Sequence, residues 1–343
     1  MCYILLVLSA FTLLARLNIF QKQNALESTN HKGANMRLVL ACLFLSSCGF
    51  PDPRDPQLSP DTLAAIKLKA SETAQWTPWC DGYPSREHCD DGDGLAGILG
   101  FGCAVGFKPA CEGVSQSVKD GQLYRAPNRN DTDNTASRDQ LFGFMAAQLH
   151  GENRWLDVKR FIKDNGQICK DATDNRCDLT PVSLALLGFT HAHLGYTRDP
   201  TMWFNGQIFG KTLLTQSITV PTGYQLNLVA EAAYIAWKTG FEDRISYEAA
   251  RNVYLRQPGN PWFCYVVEGA DESCAQLALA LWPDEPEHKE QWSIARDTTD
   301  DDWQRSQGWE WLFLSGLFGI DLNRLDYHGK RYSKDSLPTQ QAK

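Results

Sequence analysis

Two kinds of helical segment alternate along residues 60–320, and few architectures accommodate such an alternation. Segments 94–106, 140–149, 182–194, 225–238, 273–282 and 307–319 are built from Ala, Gly, Leu and aromatics nearly all the way round. Each follows a loop rich in Asp, Asn, Gly, Ser or Thr. Between them lie the amphipathic segments 60–74, 111–121, 155–165, 202–217, 242–256 and 285–296. In Trp155-Leu156-Asp157-Val158-Lys159-Arg160-Phe161-Ile162 the apolar positions form a helical stripe, with charges on the other face. A helix apolar on every side must be buried on every side, whereas a striped one sits between core and water. Start signals agree: Thr180 before Pro181 reads as an N-cap followed by proline at the first position, and Ser137 caps the second apolar segment similarly. Strand-type alternation is absent, so the expected class is all-α. Six buried helices alternating with six half-wet ones fit a double ring; an irregular α-bundle or α-solenoid is the alternative.

That count and order resemble the (α/α)6 toroid of the six-hairpin glycosidase class, over most of residues 60–320 and by pattern alone. The resemblance implies a single helical domain, 60–325, followed by a polar tail, 326–343. It also implies that the N-terminal ends of the inner helices converge on one mouth, so the loops before them are where chemistry is expected.

Hydrophobic residues make up 43% and charged residues 22% of the chain, which suits a folded body and not a disordered one. Residues 1–47 carry Arg16, Lys22, Lys32, Arg37 and Glu27; removing them from totals of 33 basic and 41 acidic leaves 29 against 40. An acidic body without a basic stripe excludes nucleic acid as the expected partner.

The N-terminus reads as targeting sequence. Residues 3–20 are apolar except near Arg16 and Asn18, which suits a signal or a marginal membrane span. A second apolar run starts at Met36-Arg37 and ends in Leu45-Ser46-Ser47-Cys48, with the grammar of a signal peptide. Those last four residues resemble a bacterial lipobox, which implies lipidation of Cys48, a mature chain starting there, and attachment to a membrane. On that reading Met36 is the start and residues 1–47 are upstream extension and signal. Residues 48–59, with Pro51, Pro53 and Pro56, form a stiff tether. Gly49, not Asp, follows the cysteine, which in such lipoproteins implies the outer membrane of the cell envelope.

Eight further cysteines fall into neighbouring pairs: Cys80 with Cys89, Cys103 with Cys111, Cys169 with Cys177, and Cys264 with Cys274. Local disulfides in an oxidising compartment are the economical reading. Zinc prefers closer Cys spacings, which do not occur, so no metal is expected there.

Candidate chemistry gathers in the loops before apolar segments. Cleaving a glycosidic bond takes two carboxylates, one protonated and one charged, and Asp93 and Asp139 each begin an apolar segment. Arg125, Arg138, Tyr224, Trp303 and Trp309 are the candidate substrate contacts. The tryptophans offer ring faces for sugars, and the arginines would neutralise a uronate if the enzyme were a lyase, with Tyr224 taking the proton. Asp at a helix start also has a plain role, complementing the helix dipole. The run Asp90-Asp91-Gly92-Asp93-Gly94 offers calcium ligands, but an EF-hand register would put Cys89 first and Gly100 last, so only an irregular calcium loop remains. His191 and His193 lie two apart on one helix and face different ways, which suits core residues better than a metal pair. The expected function is a polysaccharide hydrolase or lyase of the envelope; the alternative is a non-catalytic lipoprotein that binds glycan or protein.

Overall fold

A computed structural model describes residues 58–85, 98–127, 136–151, 153–170, 175–197, 202–284 and 308–333. Twelve α-helices occur among them, so the chain is mainly α-helical. Helix starts follow their capping chemistry. In α1 (Pro60–Thr73) the Ser59 hydroxyl accepts from Thr62 N at 3.2 Å, and Pro60 occupies a position whose N–H would have no partner. Two very short features follow: α2 (Gly100–Ala104), and α3 (Lys108–Gln116), which again carries a proline in its first turn. Ser137 and Gln140 form a capping box for α4 (Arg138–Ala147), with Ser137 N donating to Gln140 Oε1 at 2.7 Å. α5 (Trp155–Asn165) precedes α6 (Pro181–His193), where Thr180 accepts from Ser183 N at 3.1 Å as the sequence predicts.

The next helices are α7 (Met202–Thr219), α8 (Tyr224–Lys238) and α9 (Arg244–Arg256). Then come α10 (Pro261–Glu268), capped by Asn260, α11 (Glu272–Leu281), capped by Asp271, and α12 (Trp309–Leu317). The two expected burial classes are present. Every residue of α4 from Asp139 onward is buried, as is α10 from Pro261 to Val267 and α12 from Trp309 to Ser315. In α5 only Trp155, Val158, Phe161 and Ile162 are buried, the expected single stripe.

One assignment is corrected. The fifth all-round apolar helix is α10, not 273–282, because α11 buries only Cys274, Ala275 and Ala278. Pro261-Trp262-Phe263-Cys264-Tyr265-Val266-Val267 is short, aromatic and β-branched, a composition that periodicity alone cannot assign to a helix. Segment 285–296 lies outside the described residues.

Packing follows chain order. Among the more apolar helices, α2 packs on α4, α4 on α6, α6 on α8, α8 on α10, and α12 on α2; α8 also reaches α4. The striped helices join their neighbours, α7 against α6, α8 and α9, and α11 against α10. α1 packs on both α11 and α12, so the first helix meets the last two. At the contact of α2 with α4 the backbones touch: a Cβ on Gly100 would lie 2.3 Å from the Gly143 carbonyl oxygen.

Three disulfides tie local loops, Cys103–Cys111, Cys169–Cys177 and Cys264–Cys274. Cys80 is disulfide-bonded as well, and its expected partner Cys89 lies outside the described residues. The small strands are an addition to the all-α expectation. β1 (Trp79–Cys80) pairs antiparallel with β2 (Tyr83–Pro84), and β3 (Val118–Lys119) with β4 (Gln122–Leu123). β5 (Arg331–Tyr332) runs parallel to β1, with Trp79 opposite Arg331. Residues 326–333, expected in a tail, therefore join the body, and Tyr327 wedges its ring against Trp79 and Phe107.

Candidate functional site

The N-terminal ends of α4, α6 and α8 open onto one cavity of about 500 Å³. Ser137, Arg138 and Asp139 enter it from the start of α4, Thr180 from the cap of α6, and Tyr224 and Gln225 from the first turn of α8. Phe142, Leu228 and Val229, one turn further along, supply an apolar floor. The sequence expects these loops to gather, and for these three helices they do. The helices are aligned by their buried faces, so their starting loops share one end of the body.

Asp139 is held firmly. It is 8% exposed, Ser137 Oγ lies against its Oδ1, and Gln140 Nε2 donates to its Oδ2 at 2.9 Å. It does not pair with its neighbour Arg138, whose guanidinium makes no ion pair or hydrogen bond among the described residues. Tyr224 is 47% exposed at the rim. These three candidates lie together.

The other candidates do not join them. Arg125 follows β4 and is not among the residues lining the cavity. Trp309 is 0% exposed; its indole Nε1 donates to Pro78 O at 2.8 Å and its ring stacks on Tyr327 and Phe313. It is a core residue, because the glycine-led start of α12 lies beneath α1, with Gly308 against Thr73 and Thr77. Asp93, Trp303, Cys48 and the calcium-like run at 90–94 lie outside the described residues.

Asn175 and Arg176 complete the cavity wall, and the sequence reading misses both. They sit in a single turn, Asn175–Cys177, inside the loop closed by Cys169–Cys177, and Ile168 N bonds Cys177 O at 2.9 Å across its neck. The cysteine spacing was the available signal: a closed loop just before an apolar helix is carried to that helix's mouth.

Comparison with protein-family models, curated proteins and solved structures finds no match for this chain. The geometry alone therefore carries the reading of the site.

A second opening lies at the other ends of the buried helices. Ala104 and Val105 at the end of α2, Leu149 after α4, His193 of α6, Lys238 of α8, Tyr265 of α10 and Gly316 of α12 surround a cavity of about 260 Å³. The Lys238 ammonium lies 3.8 Å from the Trp237 ring centroid and within 6 Å of those of Tyr234 and Tyr265. Cation–π attraction and the negative ends of the converging helices both favour a positive charge here, and the protein's own lysine supplies it. Burial, with the neighbouring Tyr265, pushes the Tyr234 hydroxyl well above its ordinary value, so it stays neutral.

His191 belongs to the core side of α6. Trp155 Nε1 donates to its Nδ1 at 3.0 Å, Lys159 Nζ lies 2.6 Å from its Nε2, and Tyr196 stacks on it at 4.7 Å. His193 faces the second opening instead, the divergence expected of residues two apart on a helix.

Proposed function

We propose that this protein binds a saccharide outside the cytoplasm, in the cavity at the starts of α4, α6 and α8. The observation that carries this reading is the meeting of three distant polar loops, around Asp139, Arg176 and Tyr224, over an apolar floor. Sugars present hydroxyls at their edges and weakly apolar faces. The cavity offers matching partners: carboxylate, amide and hydroxyl groups in Asp139, Gln225 and Thr180, and a half-exposed ring in Tyr224.

The disulfides support an extracytoplasmic setting, since such bonds persist where thiols are not kept reduced. No helix among the described residues is long and apolar enough to cross a membrane. A lipid on Cys48, following export directed by the run from Met36, would then provide attachment, with the outer membrane as the favoured site. The architecture we favour is the (α/α)6 toroid. Its support is the run of contacts α12–α2–α4–α6–α8–α10 and the opening to which all six contribute.

Catalysis is the second reading, favoured by the presence of Asp139 on the cavity wall. A hydrolase needs a second carboxylate roughly 5–10 Å away, and Asp93 is the candidate. A glycan array followed by calorimetry tests the binding. Asp139→Asn and Tyr224→Phe should each weaken binding of a captured glycan while the helical circular dichroism of the wild type is retained. If the wild type releases reducing ends and Asp139→Asn does not, the hydrolase reading gains. Failure of any glycan to bind would remove both readings.

A further inference from the structure

We propose that the saccharide is acidic, bearing uronate carboxylates that Arg138 and Arg176 receive; this rests on the reading of the cavity as a saccharide site. The chain as a whole carries a formal charge of −8. Among the described residues lining this cavity, the charged side chains are two arginines, Arg138 and Arg176, and one carboxylate, Asp139. Asp139 does not neutralise its neighbour, because its oxygens are turned to Ser137 and Gln140. Arg138 thus brings to the cavity a guanidinium without an internal partner among the described residues. A cation so placed, beside an apolar floor, gains most from an anion delivered by the ligand.

The geometry of the group narrows the class of anion. A guanidinium is a planar fork of donors that matches a planar carboxylate, two parallel bonds at a time. The surroundings agree in sign. Helix α8 begins at the cavity with Gly223 as its N-cap, so no side chain caps it, and its first turn holds no acidic residue. The positive end of its dipole therefore adds to the field of the arginines. Arg176 comes from a different loop, the one closed by Cys169–Cys177, so the two cations approach from separate elements. That separation suits a polymer in which charged groups recur along the chain. Neutral polar side chains of the lining, Asn175, Gln216 and Gln225 among them, are left for hydroxyls.

The test uses matched probes: polygalacturonate, alginate and hyaluronan oligosaccharides, each beside its carboxyl methyl ester, with the full chain in its oxidised form. At least one acid should bind about ten-fold or more tightly than its ester, the scale of one charge-assisted hydrogen bond. Added salt should narrow the gap. Arg138→Gln and Arg176→Gln should each draw acid and ester affinities together, with circular dichroism unchanged. Acid and ester binding alike, or an acid preference that survives both substitutions, would overturn the acidic class while leaving saccharide binding intact. Inorganic sulfate competing as well as the oligosaccharide would overturn it too, since the sugar would then contribute nothing. If no member of the panel or of the wider glycan array binds, the saccharide reading itself falls.

Discussion

Replacing Trp309 separates a core role from a surface one. Its ring is completely buried and packs at 5.0 Å from Trp79, 5.8 Å from Phe107 and Tyr327, and 6.0 Å from Phe313, centroid to centroid. Trp309→Ala deletes the indole from this aromatic cluster, and close-packed neighbours refill such a hole only in part. The expected loss is about 3–5 kcal/mol. Trp309→Phe keeps a ring but removes the Nε1 donor, leaving the Pro78 carbonyl without its bond of 2.8 Å. The carbonyl keeps a longer bond from Ser85 N at 3.4 Å, so the expected cost is that of one lost hydrogen bond, about 0.5–1.5 kcal/mol. The two variants should therefore rank wild type, Phe, Ala in urea midpoint, followed by far-UV circular dichroism under oxidising conditions with an unchanged denaturant slope. Loss of glycan affinity in Trp309→Ala at wild-type stability would refute the reasoning, because that is how an exposed stacking platform behaves.

Other perturbations probe the frame and the site. Gly100→Ala drives a methyl into the Gly143 carbonyl, 2.3 Å from where it would sit; overpacking of about 1–3 kcal/mol should appear in a denaturant titration. Removing Cys169–Cys177 with a pair of serines opens a loop of 8 residues and should lower stability by about 2.5 kcal/mol on the loop-entropy scale. The same pair of substitutions should weaken ligand binding, since it frees the turn carrying Arg176. Glu272 gives a pH signature. The Thr62 hydroxyl, the Ser59 N–H and the Gln276 amide hold its carboxyl below the ordinary value. Its contribution is thus present above the ordinary carboxylate range and is lost as pH falls through the depressed folded value. Glu272→Gln should melt below wild type at neutral pH, with the gap closing as pH falls below the ordinary carboxylate range in a differential scan.

What could be read from the residues was whatever is decided locally. Thr180-Pro181 and Ser137 announce their helices because a cap acts within one turn, and the paired cysteines bond as their spacing suggests. Burial of α4 and the stripe of α5 follow from composition alone. The reading failed where a neighbour decides. Helix α10 is eight residues of aromatic and β-branched side chains, and only the helices around it, α8, α9 and α11, tell it apart from a strand. Trp309 follows a polar loop and so looked accessible, but α1 and β1, more than two hundred residues earlier, cover it. Arg176 was missed for the complementary reason: a residue in a loop goes wherever its closure takes it.

The meeting of α1 with α11 and α12 bears on how such a chain matures. Ser59 N reaches its bond to the Glu272 carboxylate, 213 positions later in the chain, only once that far end has been made. Helices emerging in sequence can stack on their predecessors as they appear, yet the face of α1 that α11 covers stays open until the polypeptide is almost finished. Final sealing is thus a late event, and a chain delivered end-first through a membrane would complete it on the far side, where its thiols can also be oxidised.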